Sequence, residues 1–144
     1  LLIDAVNAFP RIYDAIMKAE RYILFEFFII KNDSVGRYLK NLLIERARDG
    51  IHIYMLYDEI GSHKLPPGYI SALRKEGVKI EPFNGKRHFL SNVLRLNFRN
   101  HRKLVVVDGS TAFIGGMNIG REYLGKGALG YWRATFIQFY GTAV

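Results

Sequence analysis

Tyr22-Ile23-Leu24-Phe25-Glu26-Phe27-Phe28-Ile29-Ile30, then Ser34 to Ala47, then Ile51-His52-Ile53-Tyr54-Met55-Leu56-Tyr57 is the stretch that decides the fold. The first run is too short and too rich in aromatic and β-branched residues for a good helix, and it reads as a buried strand. Val35, Leu39, Leu42, Leu43 and Ala47 recur at helical spacing behind Ser34, a good N-cap, until Asp49-Gly50 stops the pattern. The third run returns to strand character. A strand, a helix and a strand in succession predict a parallel pair with its crossover.

The same grammar extends outward in both directions. Upstream, Phe9, Ile12, Ala15, Ile16 and Ala19 give Ala8 to Glu20 one apolar helical face. Downstream, Pro66-Pro67 opens a helix that runs to about Glu76, and Val78 to Phe83 is a further strand. Leu104 to Val107 and Thr111 to Ile114 flank Asp108-Gly109, which is hairpin chemistry because Gly readily takes positive φ. Trp132 to Tyr140 reads as a last strand. The expected architecture is α/β: a mixed sheet sandwiched between helices on both faces, one domain over residues 1–144 with no repeat and no linker.

Composition limits the chemistry. The 144 residues carry 21 Lys and Arg against 13 Asp and Glu, a net charge of +8, which points to an anionic partner. With 49% hydrophobic and 24% charged residues the composition is globular, and intrinsic disorder is ruled out. No cysteine is present, which removes disulfides, thiolate metal sites and a thiol nucleophile. The most apolar run, Tyr22 to Ile30, is far short of the roughly 20 residues of a membrane-spanning helix. The chain opens Leu1-Leu2-Ile3-Asp4, and this start reads as a fragment of a longer protein.

Candidate chemistry centres on Asn100-His101-Arg102-Lys103-Leu104-Val105-Val106-Val107-Asp108 and on Gly115-Gly116-Met117-Asn118. His101 and Lys103 are two apart at the start of a strand, so their side chains share a face with Cα atoms roughly 6.5 Å apart. One phosphate can touch both. A neutral imidazole attacks phosphorus, and an ammonium neutralises charge that builds on the phosphoryl oxygens. Gly115 and Gly116 let the backbone and the Asn118 amide approach the same anion. Asp108, immediately before Gly109, taken alone reads as a turn residue.

The spacing His-x-Lys-x4-Asp-x6-Gly-Gly-x-Asn, here His101, Lys103, Asp108, Gly115, Gly116 and Asn118, resembles the HKD signature of the phospholipase D superfamily. Gly115-Gly116-Met117-Asn118-Ile119-Gly120 and Glu122-Tyr123-Leu124-Gly125 resemble the N-terminal catalytic half of bacterial cardiolipin synthases. So do Glu26 in its aromatic strand, Tyr57-Asp58 with Gly61-Ser62, and Pro82-Phe83-Asn84. The resemblance implies an α/β/α fold and phosphodiester exchange through a phosphohistidine, with no metal or other cofactor. One histidine attacks, and a second, from another HKD half or from a homodimer partner, protonates the leaving alcohol. By carry-over His101, Lys103 and Asp108 are the catalytic set, with Asn118, Gly115 and Gly116 on the substrate phosphate. The implied substrate is phosphatidylglycerol at a membrane surface, and the implied setting of the parent is a bacterial cell membrane, with this piece soluble or peripheral. The group usually reads Trp-Arg-Asp-Thr-His where this chain has Trp132-Arg133-Ala134-Thr135-Phe136. Glu26 is therefore a candidate to orient the histidine in place of the missing carboxylate, with an Arg elsewhere in the core as an equal alternative partner for it.

Two rival readings stand beside this one: a phosphodiesterase or nuclease of the same superfamily, and a degenerate lipid- or nucleic-acid-binding domain without chemistry. Lys86, Arg87, Arg95, Arg99, Arg102 and Lys103, with no acid between Glu81 and Asp108, suit anionic lipid first and nucleic acid second. His52, His63 and His88 fit no zinc-ligand spacing, so no metal site is expected; His52 reads as half-buried in its strand and His63 as a residue able to line a substrate mouth. Dinucleotide, Walker-type and Gly-x-Ser-x-Gly motifs are absent.

Overall fold

The computed structural model describes residues 1–83, 101–127, 130 and 132–142. In chain order these form β1 (Leu2–Ile3), α1 (Ala5–Met17), β2 (Tyr22–Phe27), α2 (Ser34–Arg48), β3 (His52–Asp58), α3 (Pro67–Lys75), β4 (Lys79–Phe83), β5 (Lys103–Val107), β6 (Thr111–Gly115) and β7 (Thr135–Tyr140). The seven strands make one sheet in the order β1-β7-β6-β5-β2-β3-β4. The pairs β2–β3 and β3–β4 are parallel, joined through α2 and α3, whereas β2–β5, β5–β6, β6–β7 and β1–β7 are antiparallel. This is the mixed α/β sheet expected from the sequence.

Several element ends differ from expectation for local reasons. The first long strand stops at Phe27 rather than Ile30, because side chains take over the next backbone groups: Ile29 N–H donates to Asn118 Oδ1 and Ile30 N–H to Ser62 Oγ. The cap of α2 is Asp33, not Ser34; its Oδ1 accepts from the N–H groups of Val35 and Gly36 at 3.0 and 3.1 Å. Helix α1 begins at Ala5 and holds Pro10 in its second turn. The hairpin turn has positive φ at both Asp108 (55°) and Gly109 (67°), as its dipeptide predicts. The basic segment from Asn84 to Arg99 lies outside the described residues.

Alternate residues of each strand face the helices. Ile23, Phe25 and Phe27 of β2 line up with Ile53 and Met55 of β3 and with Val105 and Val107 of β5, all buried against Ile12 and Ile16 of α1, Leu39 and Leu43 of α2, and Leu73 of α3. Among the described residues the three helices lie side by side on this face; coverage of both faces was expected. The opposite face carries Leu24, Tyr54, Ile114, Ile137 and Phe139, each around 40–47% exposed. His52 is on that face too and is exposed rather than half-buried.

Candidate active site

The site forms where β5 begins and β2 ends. Lys103, the first residue of β5, pairs with Phe27, the last of β2, and is buried on the helix side of the sheet. His101 stands just before the strand, exposed to solvent. The imidazole lies over the ring of Phe28, with centroids 4.2 Å apart and planes tilted by 34°. Lys103 Nζ sits 5.6 Å from the centroid of the same ring and donates to the His101 carbonyl oxygen at 2.6 Å. Burial lowers the Lys103 ammonium below the usual lysine range.

Phe28 is fixed by the loop after β3. Its carbonyl accepts from Ser62 Oγ at 3.2 Å, and Ser62 in turn accepts from Ile30 N–H at 3.0 Å, so one buried hydroxyl holds both backbone groups that the strand has left unpaired. Gly61 passes so close that a Cβ there would lie 2.5 Å from the Phe28 carbonyl oxygen and 3.0 Å from its ring. The buried carboxylate of Asp58 sets this loop by accepting Gly61 N–H at 2.7 Å. Phe28 reads in sequence as ordinary sheet core. The only signal that sets it apart is that Phe27 and Phe28 are consecutive aromatics, so they cannot both point to one side of a strand.

Asn118 is buried one residue further along the same strand end. Its Oδ1 accepts from Ile29 N–H at 3.1 Å and its Nδ2 donates to Tyr123 Oη at 3.0 Å, which fixes the amide orientation and leaves one N–H of the amide uncommitted by these bonds. Gly115 and Gly116 have different surroundings. A Cβ on Gly115 would collide with the Thr135 carbonyl oxygen and lie 2.6 Å from Cγ of Phe136, so close strand packing alone demands glycine there. A Cβ on Gly116 would meet only the Ala134 methyl, at 3.8 Å.

Two sequence candidates lie elsewhere. Asp108 is at the other end of β5, about 16 Å along the strand from Lys103, where its carboxylate accepts from the backbone N–H groups of Glu20, Arg21 and Tyr22 at 2.8, 2.8 and 2.9 Å. Burial pushes this carboxyl up, but the three donors and the Arg21 guanidinium outweigh it and hold the group below the usual aspartate range. Glu26 pairs in register with Leu104 and Leu56, on the face of β2 opposite to Phe27 and Lys103. Near the site, His63 lines a cavity of about 670 Å³ with Tyr57, Ser62, Arg74 and Lys75. Among the described residues no three His, Asp or Glu side chains gather as a metal cluster.

A buried lysine and a ring-supported histidine thus stand together at the carboxyl end of β2, on a mixed α/β sheet of the phospholipase D-like kind. The fold agrees: the phospholipase D family member Nuc from Salmonella typhimurium has a TM-score of 0.66 over 98% of this chain and 81% of its own, at 15% identity. A phosphatidylserine synthase from Haemophilus influenzae reaches 0.71 over 98% of this chain and 33% of its own, also at 15% identity. Residues 12–127 match the family described as "Cardiolipin synthase, PLD-like domain", and the chain belongs to that family. Cardiolipin synthase A of Pseudomonas fluorescens is 49% identical over the whole of this chain, which spans 30% of that relative's length.

Proposed function

We propose that the chain is one catalytic half of a phosphatidyltransferase of cardiolipin synthase type. The observation that carries this reading is the placement of His101 and Lys103 over one aromatic ring, with the lysine partly dehydrated and so strengthened toward an oxyanion. In the proposed reaction His101 attacks the phosphorus of phosphatidylglycerol, or serves as the acid and base for a histidine that does. The bond from phosphorus to the glycerol oxygen breaks, and glycerol leaves with a proton from the second histidine. A hydroxyl of a second phosphatidylglycerol then attacks the phosphohistidine, gives its proton back to that second histidine, and releases cardiolipin and free imidazole. Lys103 and the free N–H of Asn118 hold the phosphoryl oxygens; Gly116 leaves the approach open.

One histidine cannot stand on both sides of phosphorus, so the proposal needs a second motif, supplied by another part of a longer protein or by a second copy across a two-fold axis. Membrane association of the parent belongs to the same proposal; no helix among the described residues is long and apolar enough to cross a bilayer.

The test is product analysis with phosphatidylglycerol vesicles, beside sedimentation to fix the assembly state. Cardiolipin and glycerol in equal amounts, with turnover lost in His101→Ala and specific activity falling on dilution if the site is shared between copies, support the proposal. Phosphatidic acid alone, or cleavage of DNA without transfer, replaces it with the hydrolytic reading. Tight anion binding without turnover by a two-motif assembly replaces it with a non-catalytic one.

A further inference from the structure

Beside the His101 end of the sheet is a polar cavity of about 630 Å³ lined by Lys31, Asp33, Lys64, Arg121, Glu122 and Trp132. An apolar groove of about 500 Å³, lined by Val6, Phe9, Tyr13, Tyr38 and Leu124, runs between α1 and α2. The two adjoin through neighbouring residues of the same segments: Asp33 lines the cavity and Ser34 the groove, Glu122 the cavity and Leu124 the groove. Their shared rim is fixed, because Asp33 Oδ2 accepts Arg121 N–H at 2.7 Å while its Oδ1 caps α2.

The charges of the cavity are unevenly committed. Lys31 is paired with Glu122, whose largely buried carboxylate lies over Gly120, where a Cβ would collide with it. The Asp33 carboxylate is occupied by three backbone N–H groups. Among the described residues Lys64 and Arg121 have no ion-pair partner, so the cavity offers two cations to an incoming anion. Trp132 forms another wall, edge-on to Tyr123 with centroids 5.7 Å apart, and Tyr123 Oη accepts from Asn118. That chain of contacts joins the cavity to the catalytic end without making it the same place. The groove is floored by aromatic rings, Phe9 to Tyr13 at 6.0 Å and Tyr13 to Tyr38 at 4.9 Å, and Val6 and Tyr38 on its rim are 54% and 51% exposed.

A cationic cavity beside an aromatic groove matches one kind of molecule, an amphiphile with an anionic head. We propose that together they dock the acceptor phospholipid, its phosphate against Lys64 and Arg121 and one acyl chain along Phe9, Tyr13 and Tyr38. This rests on the phosphatidyltransferase reading and says where the second lipid lies. It puts lipid contact on α1 and α2, whereas the sequence favours the basic Asn84 to Arg99 stretch, which lies outside the described residues.

The experiment is photolabelling with phosphatidylglycerol that carries a diazirine in its acyl chain, diluted into phosphatidylcholine vesicles, with labelled peptides located by mass spectrometry. Label is expected in the Ala5 to Tyr13 and Ser34 to Tyr38 peptides. It should fall about tenfold in the double variant Val6→Asp, Tyr38→Asp and in Lys64→Glu, Arg121→Glu, while turnover of a small soluble diester stays at the parental rate. Equal labelling by the phosphatidylcholine analogue, or label concentrated on Leu24, Ile137 and Phe139 of the open sheet face, overturns the proposal. Groove labelling of a two-motif assembly without any His101-dependent turnover would leave the lipid-docking site standing and remove the catalytic reading instead.

Discussion

The ring of Phe28 lies 4.2 Å from the imidazole of His101, and both are held at the point where β2 gives up its backbone ladder. The histidine is exposed, so this ring is its chief lateral support among the described contacts. Phe28→Ala should lower turnover on the order of a hundredfold, the effect of a small displacement of a reacting group. Phe28→Leu should recover part of it. Ser62→Ala, one step further out, strands the Ile30 N–H and the Phe28 carbonyl and should cost about 1–3 kcal/mol in urea denaturation. Unchanged kcat in Phe28→Ala would show that the ring is mere packing.

In the proposed reaction Lys103 trades stability for chemistry. Its folded pKa is depressed, so below that value a buried charge opposes folding, and the penalty fades as pH rises toward the unfolded lysine value. Lys103→Met is expected to abolish turnover yet raise the melting temperature at neutral pH by about 2–4 °C. The parent's stability should climb with pH over the interval between the two pKa values, and the variant's should not. Thermal scans against pH decide this.

For Asp108 the sign is reversed. Its folded pKa is depressed, so the stabilisation is fully present above the unfolded aspartate value and is lost as pH falls through the folded one. Asp108→Ala should destabilise the chain by about 1–3 kcal/mol by releasing three N–H groups. Its acid limb of stability should be flatter than the parent's. A catalytic acid or base at this position would instead show a turnover loss with stability unchanged.

Gly115 and Gly116 should separate cleanly. Gly115→Ala forces β6 and β7 apart at Thr135 and Phe136 and should cost about 1–3 kcal/mol. Gly116→Ala has room, so its melting temperature should hold while its KM rises if phosphate passes over that backbone. Denaturation and kinetics on the same two preparations test both statements.

The parts legible in the sequence are those whose cause is local. Asp108-Gly109 needs two positive φ angles and announces them; His101 and Lys103 share a face because a strand alternates. The two-residue β1 was not legible, since it exists only by pairing with β7 more than a hundred residues later. Nor was the cap of α2, where Asp33 and Ser34 are adjacent and equally suited until Arg121 N–H selects the aspartate. Phe28 was hidden for the opposite reason: an aromatic residue in an apolar run has the same local appearance whether it fills the core or floors a site.

Six of the seven strands fall into two blocks, each built from neighbours in the chain, β2-β3-β4 and β5-β6-β7; β1 adds to the edge of β7, and a single antiparallel seam between β2 and β5 joins the blocks across some eighty residues. During synthesis the first block is complete before Lys103 has been made. Closing the seam carries a large loop-closure entropy, exceeded only where the two-residue β1 joins β7, and therefore comes late. Phe28 belongs to the first block and His101 to the second. The pair thus meets only in chains that have finished folding, and under the proposed function a half-folded chain exposes neither an ordered imidazole nor a dehydrated lysine with which to attack the lipids around it.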